Sequence, residues 1–125
     1  MVVKLAIVGT LVLALAACGG NAGKGGKVPP PTRAGYAAAA NRVCRNTNTQ
    51  SARISGLQKL KPPPAEHDLV VRWLNAERWA LDAFDEIAQP KKEGGDPRVG
   101  LAVAEGKIAG YARRLGATAC TGMPS

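Results

Sequence analysis

The sequence predicts an all-α fold, a small three-helix bundle over residues 33–125. Three observations predict it. Apolar residues recur at helical spacing in three segments, and proline- or glycine-rich stretches separate these segments. In addition, no segment has the strict alternation of apolar and polar residues that is typical of a half-buried strand.

The chain opens with a short basic and apolar segment at residues 1–17. Lys4 precedes an apolar run from Leu5 to Ala17, which is well short of the roughly 20 residues that a membrane-spanning helix needs. A basic start, a short apolar centre and small residues before a cleavage site are typical of a secretory signal peptide. We therefore expect residues 1–17 to be removed on export.

The end of this segment resembles the bacterial lipobox. Leu15, Ala16 and Ala17 place one branched apolar residue and two small residues directly before Cys18. In proteins with this motif the cysteine thiol is linked to diacylglycerol and the chain is cut before it; two acyl chains, such as palmitate, suffice for stable anchoring. The resemblance implies that Cys18 is the lipidated N-terminus. A signal peptide with a chance cysteine and an uncleaved membrane helix are the alternatives.

Residues 18–32 have the composition of a tether, because a glycine-rich stretch passes into three prolines. The chain has 17 basic and 9 acidic residues, a formal net charge of +8. Without Lys4 and the tether's Lys24 and Lys27, the domain keeps 14 basic and 9 acidic residues, which is +5. We expect the membrane as a partner through the lipid, an anionic lipid or wall polymer as a further one, and no nucleic acid.

The first predicted helix covers residues 33–61 and ends at the prolines 62–64. At 100° per residue, Arg42, Arg45 and Arg53 fall on the face opposite the apolar one. The apolar face consists of Tyr36, Ala40, Val43, Thr47, Ile54 and Leu57.

The second helix is predicted over residues 65–89 and the third over residues 97–115. Asp96 and Pro97 form an N-cap and an N1 proline, and Gly116 suits the position after a helix. The predicted core of the second helix is Val70, Trp73, Leu74, Ala80, Leu81, Phe84, Ile87 and Ala88, and that of the third is Leu101, Ala104, Ile108, Tyr111, Ala112 and Leu115.

Two residues of the second helix break its pattern. Glu77 falls inside the apolar arc, and a buried carboxylate needs a partner. It either pairs with an arginine or tyrosine inside the bundle, which we favour, or lines a cleft. Trp79 is a large aromatic on the polar face; it is either covered by the tether or a loop, or it belongs to a contact surface, where tryptophan is enriched.

The sequence indicates no enzyme, cofactor or metal site. His67 is the single histidine, and its neighbours Glu66 and Asp68 point in different directions on a helix. The serines lack a nucleophile-elbow context, and the tether glycines follow no strand and open no helix, as a phosphate loop requires.

Several short motifs of the domain resemble a group of small secreted lipoproteins of actinobacteria. They are Tyr36 with Cys44 eight residues later, LQKLKPPP at 57–64, RWL at 72–74 and LGATAC at 115–120. The resemblance implies a helical domain with a Cys44–Cys120 disulfide, and it implies no activity. Closing so long a loop stabilises a domain by roughly 4 to 5 kcal/mol.

The disulfide conflicts with a simple up-down-up bundle, in which the first and third helices run parallel and Cys120 lies nearer Leu57 than Cys44. We therefore expect the third helix to be short or steeply crossed, or the tail around residues 118–120 to fold back along the first helix.

Two functions from different classes fit the sequence. The first is a non-enzymatic, lipid-anchored helical module on the outer face of the cell membrane, serving interaction or envelope structure. Its contact surface would consist of Trp79, Arg42, Arg45 and Arg53. The alternative is a carrier of a small ligand or lipid, whose cavity would be lined by Glu77, Trp73, Phe84 and Tyr111. A packed core around Glu77 favours the first function, and a cavity there favours the second.

Overall fold

A computed structural model describes residues 31–124, and the all-α fold is confirmed. The helices are α1 (Arg33–Asn46), α2 (Gln50–Gln58), α3 (His67–Ala88) and α4 (Pro97–Leu115), with short 3-10 turns at Pro64–Glu66 and Thr118–Cys120. No strand occurs in this range. The predicted signal peptide, the lipobox with Cys18 and the tether up to residue 30 lie outside the described residues.

The first predicted helix, residues 33–61, is two helices, because α1 ends before Thr47 and α2 begins after Thr49. The Thr47 hydroxyl donates back to the Val43 carbonyl over 2.8 Å. The Thr49 hydroxyl accepts from the Ala52 amide over 3.1 Å, which makes it the N-cap of α2. Threonine side chains that bond the local backbone compete with helix continuation. The interruption changes the angular relation of α2 to α1, and Arg53, which an unbroken count places outside, is buried.

Helices α3 and α4 pack along each other as an antiparallel pair and hold most of the core. Asp96 caps α4 by accepting from the Arg98 amide over 3.0 Å, and Gly116 ends it in the left-handed conformation with φ 79°, both as predicted. The buried side chains of the two helices are Val70, Trp73, Ala76, Glu77, Ala80, Ala83, Ala104, Ile108, Ala112 and Leu115. Phe84 and Ala88 were expected in the core and are exposed, since both follow Ala83, the last buried residue of α3.

The chain after α4 runs beside α1 and brings Cys120 to Cys44. The Asn41 side chain accepts from the Ala119 amide over 2.9 Å and donates to the Gly116 carbonyl over 3.4 Å. The Cα atoms of Cys44 and Cys120 lie 5.3 Å apart, and their sulfurs are at disulfide distance. Because α1 ends at Asn46, Cys44 is near the end of its helix. The tail lies along α1, which is one of the arrangements predicted from the sequence. The disulfide is therefore compatible with the packing of the helices.

Tyr36 on α1 is buried with a hydroxyl that meets no hydrogen-bond partner in the described structure. Burial raises the pKa of Tyr36 to about 12 from its ordinary value of 10.0. The neutral phenol is therefore favoured in the folded state, and its contribution to stability is complete below pH 10.0 and is lost as the pH rises through about 12.

We expect Tyr36→Phe to remove this alkaline loss of stability. Two pH units of pKa difference correspond to about 2 to 3 kcal/mol, so the native protein should lose that much relative to the variant between pH 10 and 12. At neutral pH the variant should be equally stable or more stable by about 1 kcal/mol, because no buried hydroxyl is left unpaired. Urea unfolding across this pH range measures both, with the half-buried Tyr111→Phe as the control. Parallel pH profiles for all three proteins would contradict the interpretation.

Candidate functional site

A buried polar cluster surrounds Glu77 in the centre of the bundle. Glu77 is fully buried, and its carboxylate accepts from the Trp73 indole over 3.0 Å and from the Gln50 side-chain amide. The same amide donates to the Glu77 backbone carbonyl over 2.9 Å. The Arg53 guanidinium lies 3.9 Å from the carboxylate. Glu77 thus has the buried basic partner that the sequence predicts.

The cluster connects three parts of the chain. Trp73 and Glu77 are four residues apart and share one face of α3, while Gln50 and Arg53 are three apart and share one face of α2. Arg53 also donates to the carbonyl of Gly122 over 2.6 Å. The cluster therefore fixes α2 and the C-terminal tail against α3.

The charge on Glu77 depends on these partners. Burial raises the pKa of the Glu77 carboxyl, and the Gln50 hydrogen bond, the Arg53 charge and the Trp73 hydrogen bond each oppose that rise. An arginine keeps its proton in proteins. The residues of the cluster point to each other, an arrangement that holds helices together rather than one that presents a reactive group.

The structure does not bring together the four residues of the predicted contact surface. Arg53 is only 2% exposed and belongs to the cluster, because the break at residues 47–49 turns it inward. Arg42 and Arg45 are exposed on α1, as predicted. Arg45 and Arg53 line a polar cleft of about 390 Å³ at the α1–α2 junction. Trp79 does not line this cleft, so the four residues do not form one surface.

Trp79 lies in a groove between α3 and α4. It is 42% exposed, so it is not covered by the described loops. The groove has a volume of about 230 Å³, and its lining residues are Arg72, Asn75, Ala76, Trp79, Lys107 and Tyr111. Gly100 of α4 lies beside the indole, since a Cβ atom there would be 3.4 Å from its nitrogen, an ordinary contact. Sequence reasoning identified Trp79 and missed the two cations and the tyrosine beside it.

The four residues proposed to line a carrier cavity lie in different environments. Trp73 and Glu77 are fully buried against each other. Phe84 is at the surface, and Tyr111 lines the groove of Trp79. The core around Glu77 is therefore packed.

Within residues 31–124, no group of three histidine, cysteine or acidic side chains is placed to hold a metal ion. His67 and Asp68 are near each other at the surface. None of the helices described is both long and apolar enough to cross a membrane. Comparison of the chain with protein-family models, with curated proteins and with solved structures finds no match.

Proposed function

We propose that this chain is a lipid-anchored protein on the outer face of the cell membrane. A tether joins the lipid anchor to a non-enzymatic helical module that serves interaction or envelope structure. The lipobox-like residues 15–18 and the glycine- and proline-rich stretch behind them support the anchor and the tether. The likeness to small actinobacterial lipoproteins supports the same placement.

The pairing of Cys44 with Cys120 is the observation that carries the proposal. Disulfides persist in oxidising compartments outside the cytoplasm, so a buried pair in a domain this small favours export. The chain has three cysteines, and the pairing leaves Cys18 as the remaining thiol, at the position that the lipobox assigns to the lipid.

The packing around Glu77 favours an interaction module over a carrier. A carrier cavity needs room beside the acidic group, whereas the Glu77 carboxylate is in contact with Gln50, Arg53 and Trp73. The groove of Trp79 replaces the predicted four-residue surface as the proposed contact site, because it combines exposed aromatic and basic side chains.

We expect Cys18→Ala to abolish lipid attachment. Cells that express the native chain and are fed a clickable fatty acid should label the protein, and the label should stay with the membrane fraction. The Cys18→Ala variant should lose both the label and the membrane association. Cys44→Ala is the matched control, since it also removes one cysteine; it breaks the disulfide, so label is compared per molecule of protein and should be retained. Equal labelling of the Cys18 variant would refute the anchor.

A further inference from the structure

One face of the α3–α4 pair combines exposed apolar, aromatic and basic side chains; we call it the Trp79 face. It consists of Arg72 and Trp79 on α3 and of Val103, Lys107 and Tyr111 on α4. Val103 is 44% exposed and lies one turn from Lys107 and one turn from Gly100, which faces the indole. Helical spacing therefore places Val103 next to the four residues that line the groove.

The two cations of this face are free to act on an external partner. In the described structure neither Arg72 nor Lys107 has a carboxylate within ion-pair distance, whereas Arg33 and Lys91 do. Both side chains contribute to the positive net charge of the domain.

This set of side chains matches the chemistry of an anionic bilayer surface. Tryptophan and tyrosine concentrate at membrane–water interfaces, where an apolar ring and a polar edge are both accommodated. Lysine and arginine beside them meet lipid phosphates, and each strengthens binding to an anionic leaflet roughly fivefold. We propose that the Trp79 face docks the domain on the anionic phospholipid surface of the membrane that anchors it. This rests on the proposed lipid anchor.

The tether makes a weak contact sufficient. For the predicted tether, residues 19–32, a flexible-chain composition predicts a root-mean-square length of roughly 20 Å, from about 5 to 6 Å times the square root of the residue number. A domain held that close meets the lipid at an effective concentration in the millimolar range. Two cations and an interfacial tryptophan then hold the domain on the surface for much of the time.

Fluorescence quenching tests the docking directly. The chain from Cys18 to Ser125 contains every described residue, and its Cys18 thiol couples to a maleimide lipid in vesicles of phosphatidylcholine alone or with phosphatidylglycerol. Brominated acyl chains in the same vesicles quench an indole that enters the interface. Trp73 is fully buried, so the quenching reports on Trp79. We expect strong quenching on phosphatidylglycerol vesicles and little on phosphatidylcholine.

Two double variants with the same change of charge separate this face from overall electrostatics. Arg72→Glu with Lys107→Glu should reduce docking by at least roughly 25-fold, because each cation contributes a factor of about five and the new carboxylates are repelled by the lipid. Arg42→Glu with Arg45→Glu, on exposed α1 positions, should leave it nearly unchanged. Circular dichroism verifies that both variants are folded. Equal losses in the two variants, or no quenching on either vesicle, would overturn the proposal, as would a photo-cross-linker at position 79 that captures a protein and no lipid on intact cells.

The vesicle result and the fatty-acid labelling fail independently. Chemical coupling supplies the anchor in vitro, so docking is measured even if cells do not lipidate Cys18. Conversely, if Cys18 is labelled in cells but Trp79 is not quenched on vesicles, the proposed anchored module stands and the proposed docking face is wrong.

Discussion

Replacing Glu77 by glutamine should lower the free energy of unfolding by about 3 to 5 kcal/mol, the range found when one member of a buried ion pair is removed. The substitution keeps the size of the side chain and removes its charge. Arg53, 2% exposed, is then left without its countercharge in the core.

The hydrogen bonds of the cluster make the glutamine unfavourable for a second reason. The Gln50 amide and the Trp73 indole each donate a hydrogen bond to one of the two carboxylate oxygens of Glu77. A glutamine has one oxygen and one amino group, so either one of these donors faces another donor, or the Gln50 amide turns over to accept through its unpaired Oε1 and gives up its hydrogen bond to the Glu77 backbone carbonyl. A buried donor without an acceptor costs about 1 to 3 kcal/mol.

Urea unfolding measures the loss, and Glu93→Gln on the exposed loop after α3 is the control, expected within about 0.5 kcal/mol of the native protein. A double variant, Glu77→Leu with Arg53→Met, should be less destabilised than the sum of its single variants, because apolar replacement of both partners leaves no charge unpaired. Additive effects, or equal stability of the Glu77 and Glu93 variants, would show that the cluster is not coupled as described.

Sequence reasoning found Glu77, misplaced Arg53 and passed over Gln50, for different reasons. Glu77 lies on α3, which is a continuous helix of 22 residues, so counting 100° per residue places it correctly inside the apolar arc. Arg53 follows the Thr47–Thr49 interruption, where an unbroken count puts it on the polar face. Gln50 does lie on the predicted apolar face, but an apolar pattern does not include a polar residue. Two threonines around an asparagine are a capping signal in the sequence, and attention to it would have placed the break.

The groove of Trp79 illustrates what one sequence leaves open. Helical periodicity identifies Trp79 as an exception on its own helix. Its neighbours Lys107 and Tyr111 belong to α4, and their position depends on how the two helices are rotated and shifted against each other. Local pattern does not determine that relation, whereas the helix starts and ends at Asp96 and Gly116 follow from short-range capping.

Removing the disulfide with Cys44→Ala and Cys120→Ala together should have the largest effect on the domain. The cysteines are 76 residues apart in sequence, and opening a loop of this length costs roughly 4 to 5 kcal/mol by the loop-entropy argument. A single domain of this size has a total stability of about 5 to 15 kcal/mol. The double variant should therefore be partly unfolded at physiological temperature.

The loss should begin at the C-terminal tail, because the disulfide cross-links the tail to α1. Once it is absent, the tail is held by the Asn41–Ala119 and Arg53–Gly122 hydrogen bonds. Hydrogen exchange of the Ala119 amide should accelerate before that of the α3 amides, and urea unfolding should shift as much with reductant on the native chain as with the double substitution. Cys18→Ala is the control and should shift neither.

Two free thiols at positions 44 and 120 in the oxidised protein, detected by alkylation and intact mass, would disprove the bond. A stability unaffected by reductant would instead mean that the tail is held by its hydrogen bonds and packing, and that Arg53, through Gly122, connects the tail to the core.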